Sequence, residues 1–191
     1  MWGCSVDKIA VEARLQVIEK SVREIRALMT DESLPPVDPP IDPPPPPPIL
    51  PGRDNQAVTY GVGILPVHAS PLWVAKRVRH LSPAENRGKR NVYIDALRPD
   101  GSKDTNPSLR AVWTWNGRRP SEPAPPIALD KGAGEPMGNI PLYAGQVMSV
   151  RIEGDGVLSD VVYGISSDHP DEGDGNTRFH HSFHVVFQRS Q

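Results

Sequence analysis

Six side chains able to hold a ligand fall within the ten residues DHPDEGDGNT (168–177): Asp168, His169, Asp171, Glu172, Asp174 and Asn176. Carboxylates and an amide at this density suit a hard cation, and Ca2+ accepts such oxygens in a flexible shell. The spacing is not that of an EF-hand, because Thr177 stands where glycine is needed after Glu172, Asp174 and Asn176. The competing reading is a solvated acidic turn. Asp168, Asp171, Glu172, Asp174 and Asn176 are therefore the candidate ligand-binding residues. Ca2+ is the one cofactor they would suit.

The histidine-rich run HHSFH (180–184) is the second concentration of chemistry. On a strand, His180, Ser182 and His184 share one face, and His181 shares the other with Phe183, Val185 and Phe187. Histidines four apart on a strand stand roughly 13 Å apart, too far to share a metal without a bulge. His181 reads as a hydrogen-bonded, half-buried residue rather than a ligand. Ser182 lacks a G-x-S-x-G elbow, and no HExxH helix is present. No catalytic residue is assigned, and the chain reads as non-enzymatic. Trp113 and Trp115 lie on one face of a strand and could form a sugar platform. Their face also carries Leu109 and Ala111 while the opposite face is wetter, so the alternation makes them core.

These residues need a β scaffold, and the sequence supplies one. From residue 57 the hydrophobic period is two, giving strands over 57–64, 72–81, 91–97, 109–115, 146–153, 160–165 and 182–188, with a short one at 126–129. Turn signals separate many of them, Asn116-Gly117 and Gly154-Asp155-Gly156 among them. The expected head, residues 52–191, is mainly β: an antiparallel two-layer sandwich of Ig-like or jelly-roll type. Loops 98–107 and 166–178 are expected at its outer end.

What precedes the head is different in kind. Residues 6–30 contain neither proline nor glycine. Val11, Leu15, Ile18, Val22, Ile25 and Met29 step by 4, 3, 4, 3 and 4, the seam of a coiled coil. A lone helix of this length would be marginal in water, so residues 1–34 read as an oligomerising and anchoring segment. β-branched residues at d argue against a dimer; a parallel trimer is expected, with a tetramer as the alternative. Residues 35–51 hold eleven prolines in seventeen positions. As polyproline II they would reach roughly 50 Å, a spacer between the helix and the head.

Composition excludes several classes. The formal charge is −2, with 23% charged and 37% hydrophobic residues, which gives no general bias toward nucleic acid or membrane. No apolar run is long enough to span a bilayer. The start MWGCSVDK lacks the apolar core of a secretory signal, so synthesis in a cytoplasm is expected. A single cysteine, Cys4, leaves no intrachain disulfide. Lys76, Arg77, Arg79, Arg87, Lys89 and Arg90 cluster, but without interleaved aromatics they make a poor nucleic-acid surface. Residues 152–177 carry seven acids and no lysine or arginine.

The phrases LSPAENRGKRNVYIDALRPDG (81–101), VWTWNGRRPSEPAPPIALDK (112–131) and SDHPDEGDGNTRFHHSFHVVFQR (167–189) resemble an uncharacterised β-rich module of phage-related proteins. That module often lies C-terminal to lysozyme-like cell-wall hydrolases. The resemblance covers most of residues 73–189 and neither the helix nor the proline segment. It implies a phage setting and an accessory role, and it transfers no catalytic residue. The expectation is thus a trimeric virion protein, a head fibre or decoration protein. It would be held at its N-terminus by a capsid or tail protein, with a head for adhesion to a host surface, glycans included. The alternative is a carbohydrate-binding accessory module of a cell-wall-degrading system.

Overall fold

The computed structural model describes residues 51–191. The seam from Val11 to Met29 and the proline segment up to residue 50 lie outside the described residues. The elements run β1 (Asp54–Asn55), a 3-10 turn (Val58–Tyr60), β2 (Gly63–Leu65), β3 (Leu72–His80), α1 (Pro83–Asn86), β4 (Asn91–Leu97), β5 (Arg110–Trp115), β6 (Ile127–Ala128), β7 (Gly138–Pro141), β8 (Val147–Glu153), β9 (Leu158–Ser159), β10 (Val161–Ser166) and β11 (Phe183–Arg189). They form two sheets. One has the order β1-β3-β11-β4-β7, with β9 also pairing β3; the other has β2-β10-β8-β5-β6.

The alternation in β4 and β8 predicts the burial closely: Val92, Ile94 and Ala96 are buried, as are Met148, Val150 and Ile152. Both sheets feed one apolar cluster. Trp73, Ile94, Phe183 and Phe187 enter it from the first sheet and Trp113, Val150 and Ile165 from the second. Trp73, Phe183 and Phe187 are fully buried. Truncating any one of them to alanine costs roughly 3–5 kcal/mol in transfer and cavity terms.

The expectation of a purely antiparallel architecture holds for the second sheet and fails for the first. β11 pairs β3 antiparallel but β4 parallel, and β1 and β9 both pair β3 in parallel. Period-two patterning reports which face a residue occupies and carries no information on strand direction. The chain between β4 and β11 crosses to build the second sheet before returning, which is what a parallel pair requires. The strand expected over 57–64 is also broken. Gly61 sits at φ 75° and closes the 3-10 turn, so only Gly63–Leu65 is extended. The short helix α1 was not expected. Ser82 and Glu85 form a capping box at its start, with Pro83 at the first helical position.

β3 supplies the long axis of the first sheet. Its nine residues span roughly 26 Å at strand rise. At its Leu72 end, the Ser190 amide donates to the Leu72 carbonyl at 2.8 Å, and Pro51, Leu72 and Gln191 line one open groove. The chain thus starts its described course beside its own C-terminus, and His80 lies at the other end of the strand. The loops expected to share an outer end are split between these two ends. Gln188 donates to the carbonyls of Arg98 and Pro99, which puts the start of 98–107 at the Pro51 end. Glu172, within 166–178, contacts Tyr60 and neighbours His80. Among the described residues no helix is long and apolar enough to cross a membrane.

Candidate functional site

The His80 end gathers more titratable and aromatic groups than any other part of the described head. Tyr60 ends the 3-10 turn, His80 ends β3, and His181 precedes β11 by two residues. The β3–β11 register sets Phe183 opposite His80. His181 is therefore the diagonal neighbour of His80 on the same face. The Tyr60 ring stacks on His80 with centroids 3.8 Å apart. His169, from the β10–β11 loop, meets Tyr60 and His181 edge-on at 5.2 and 5.3 Å. Phe183 contacts Tyr60, His80 and His169 from the core side.

Two separate sets of hydrogen bonds run through this stack. His80 Nε2 and His181 Nδ1 share a proton at 2.9 Å. Tyr60 donates its hydroxyl to Glu172 Oε1 at 2.7 Å, and Asn176 donates its amide to Glu172 Oε2 at 2.9 Å. The Nδ1 atom of His80 lies 4.0 Å from Glu172 Oε2. Burial holds His80 neutral, pushing it down to about 4 against the opposing pull of Glu172. Burial likewise lowers His169 and His181. Burial, with Glu172 as hydrogen-bond acceptor, raises Tyr60 to about 12. Burial alone would raise Glu172, but the bonds from Asn176 and Tyr60 outweigh it and leave the carboxyl lowered. Asn86 Oδ1 and Asn176 Oδ1 are buried here without a partner; His169 Nε2 and His181 Nε2 make no close hydrogen bond either, although the carbonyls of Ser166 and Pro170 act on those two rings. His80, Glu172 and His181 can each offer one ligand atom within 4.8 Å of the others.

The loop is seated on α1. Asn86 donates its side-chain amide to the carbonyls of Lys89 and Gly175, both at 2.9 Å. A Cβ on Gly175 would lie 1.8 Å from the Pro83 carbonyl oxygen, so only glycine lets the loop approach this closely. Asn176 is fully buried and also donates to the Leu81 carbonyl.

The five loop residues singled out from the sequence divide in two. Glu172 and Asn176 point into the histidine stack and touch each other. Asp168 instead pairs with Arg178 at 3.0 Å, Asp171 accepts from the Gly173 amide in a local turn, and Asp174 is exposed. Asp168, Asp171 and Asp174 belong to no convergent ligand group among the described residues. His181 is hydrogen-bonded as expected but fully buried rather than half-buried. His80 and Tyr60 lie a hundred residues or more before the HHSFH run and carry no motif of their own. The one available signal was a histidine at the basic end of the longest strand.

The tryptophans and part of the acidic stretch are taken up by the structure, whereas the basic cluster stays exposed apart from Arg79. Trp113 is buried and donates to the Pro125 carbonyl, while Trp115 stacks on it at 5.4 Å beneath Arg118. Within the acidic stretch, Asp160 is fully buried against Arg53 and Asp155 accepts from Trp73. Within the basic cluster, Arg79 binds Glu85, whose carboxyl it holds down at about 2 with help from Ser82. Comparison with family models, curated proteins and solved structures found no match to the chain.

Proposed function

We propose that the chain is a non-enzymatic display protein of a phage particle, a trimeric fibre or decoration protein. Its residues 1–34 assemble and anchor it, with a tetramer as the alternative. Residues 35–51 act as a spacer, and residues 52–191 form a β-sandwich head that adheres to a host surface, glycans among its targets. The observation that carries this reading is the polarity of β3. The chain reaches the head at Pro51, beside Leu72 and Gln191, and the polar aromatic cluster of Tyr60, His80, His169 and Glu172 lies at the opposite end. A head tethered at one end presents the other. Loops at such ends are free to vary and to bind. Three tethered heads would turn weak single contacts into firm attachment through effective concentration.

The test compares labelled full-length protein with the 52–191 fragment on a panel of bacterial cells. The full chain should sediment as about three protomers, by the coiled-coil reading. It should also be retained on susceptible cells at least about tenfold better than the fragment. Equal retention removes the assembly-and-display reading. Retention of neither on any cell removes adhesion.

A further inference from the structure

We propose that His80, His181 and Glu172 form a binding site for a divalent transition-metal ion of the zinc class, at the end of the head remote from Pro51. The inference rests on the side-chain cluster alone and stands whether or not the display reading holds. One nitrogen from each ring and one carboxylate oxygen lie within 4.8 Å of one another. His80 Nε2 and His181 Nδ1 are 2.9 Å apart. Two imidazole nitrogens on one tetrahedral Zn2+ stand roughly 3.3 Å apart, given Zn–N bonds of about 2.0–2.1 Å. A small rotation of either ring would let an ion replace the shared proton.

Without an ion, neither tautomer of the pair is satisfied. If His80 Nε2–H donates, the bare His80 Nδ1 faces the Glu172 carboxylate at 4.0 Å, lone pair toward anion. The remaining N–H of His181 then turns to the Pro170 carbonyl, so the mismatch in this tautomer sits at His80 Nδ1. If His181 Nδ1–H donates, the Nε2 lone pair of His181 is buried with no donor. Buried polar atoms in this state are costly and uncommon, and an unmet ligand is one of the few reasons they persist. An ion bound by both rings fixes their tautomers and places positive charge beside Glu172. That carboxylate is already held by Tyr60 and Asn176, the outer hydrogen bonds that orient ligating carboxylates. Both imidazoles are kept neutral by burial, which is the form a metal requires.

The donor set selects the ion. Two imidazoles and one carboxylate are borderline ligands suited to Zn2+ and its neighbours, whereas Ca2+ prefers a shell of oxygens. Three protein ligands leave a further position, as in zinc sites that keep an exchangeable partner. Here it would face the open pocket bounded by Gln56, Tyr60, Arg79, His80, Glu85 and Glu172.

The experiment is titration of chelator-stripped full-length protein with ZnCl2, followed by calorimetry, and with CoCl2, followed by visible absorption. The expected result is about one Zn2+ per chain and the strong visible bands of four-coordinate Co2+. Glu172→Gln and His80→Gln should each weaken binding by at least about tenfold, while an Asp171→Ala, Asp174→Ala double variant binds as wild type. No uptake by the wild type at micromolar ion overturns the proposal. So does uptake that persists unchanged in both single variants, which would place the ion elsewhere, at Cys4 or His180 for instance. Should His80→Gln fail to fold, Glu172→Gln decides alone, because Glu172 is exposed and its removal leaves the core intact.

Discussion

Asp160 and Glu172 are both acids of the 152–177 stretch that turn toward β3, and they end in opposite states. Asp160 is fully buried, and its two oxygens accept four hydrogen bonds. Arg53 contributes two of them, at 2.7 and 3.0 Å, and the amides of Val67 and Ala75 one each, both at 2.9 Å. Between β9 and β1 the β3 edge has no strand partner at Ala75, and the carboxylate takes the place of the missing carbonyl. Nothing in that cluster lacks a partner. Around Glu172 the reverse holds: two amide oxygens are buried and unmatched, and the His169 and His181 rings have only the loosely placed carbonyls of Ser166 and Pro170. A saturated polar cluster holds a fold together, whereas an unsaturated one at the far end of the same strand has capacity left for a ligand.

The largest effect expected from this contrast belongs to Asp160. Asp160→Ala strands the Arg53 guanidinium and two backbone amides, and should lower the stability of the full chain by about 3–5 kcal/mol. Urea denaturation followed by tryptophan fluorescence would show it; a change within error would mean that the site is solvated and the contrast false. Asn176→Ala comes next. It unpairs the Leu81 carbonyl and one Glu172 oxygen, with an expected loss of about 1–3 kcal/mol. It should also weaken Zn2+ binding about tenfold through Glu172, an effect a purely structural asparagine would not produce. Smallest is the Asp171→Ala, Asp174→Ala pair. Both side chains are exposed, and the denaturation midpoint should not move. A clear shift that a chelator abolishes would show that the acidic loop holds a cation of its own.

Much of the scaffold was legible because it rests on one-dimensional signals. Alternation located β3, β4, β5, β8, β10 and β11, and it put Trp113 in the core. Strand direction was not legible, since the parallel pairing of Val185 with Ile94 leaves no mark on either segment's pattern. The short edge strands β1, β7 and β9 have too few residues to show a period. The site was half legible: Glu172 and Asn176 stood out by density, but their partners Tyr60 and His80 come from chain over ninety residues earlier and meet them only in the folded structure. HHSFH drew attention to histidines four apart on one strand. The relevant spacing is diagonal, across two strands, and it pairs His181 with His80.

Diffraction from crystals grown with Zn2+, measured at the zinc absorption edge, tests the contrast most directly. The account predicts an anomalous peak bounded by His80, His181 and Glu172, and none beside Asp160 or among Asp168, Asp171 and Asp174. A map with no peak at the histidine pair, or with the ion at the acidic loop instead, would contradict it.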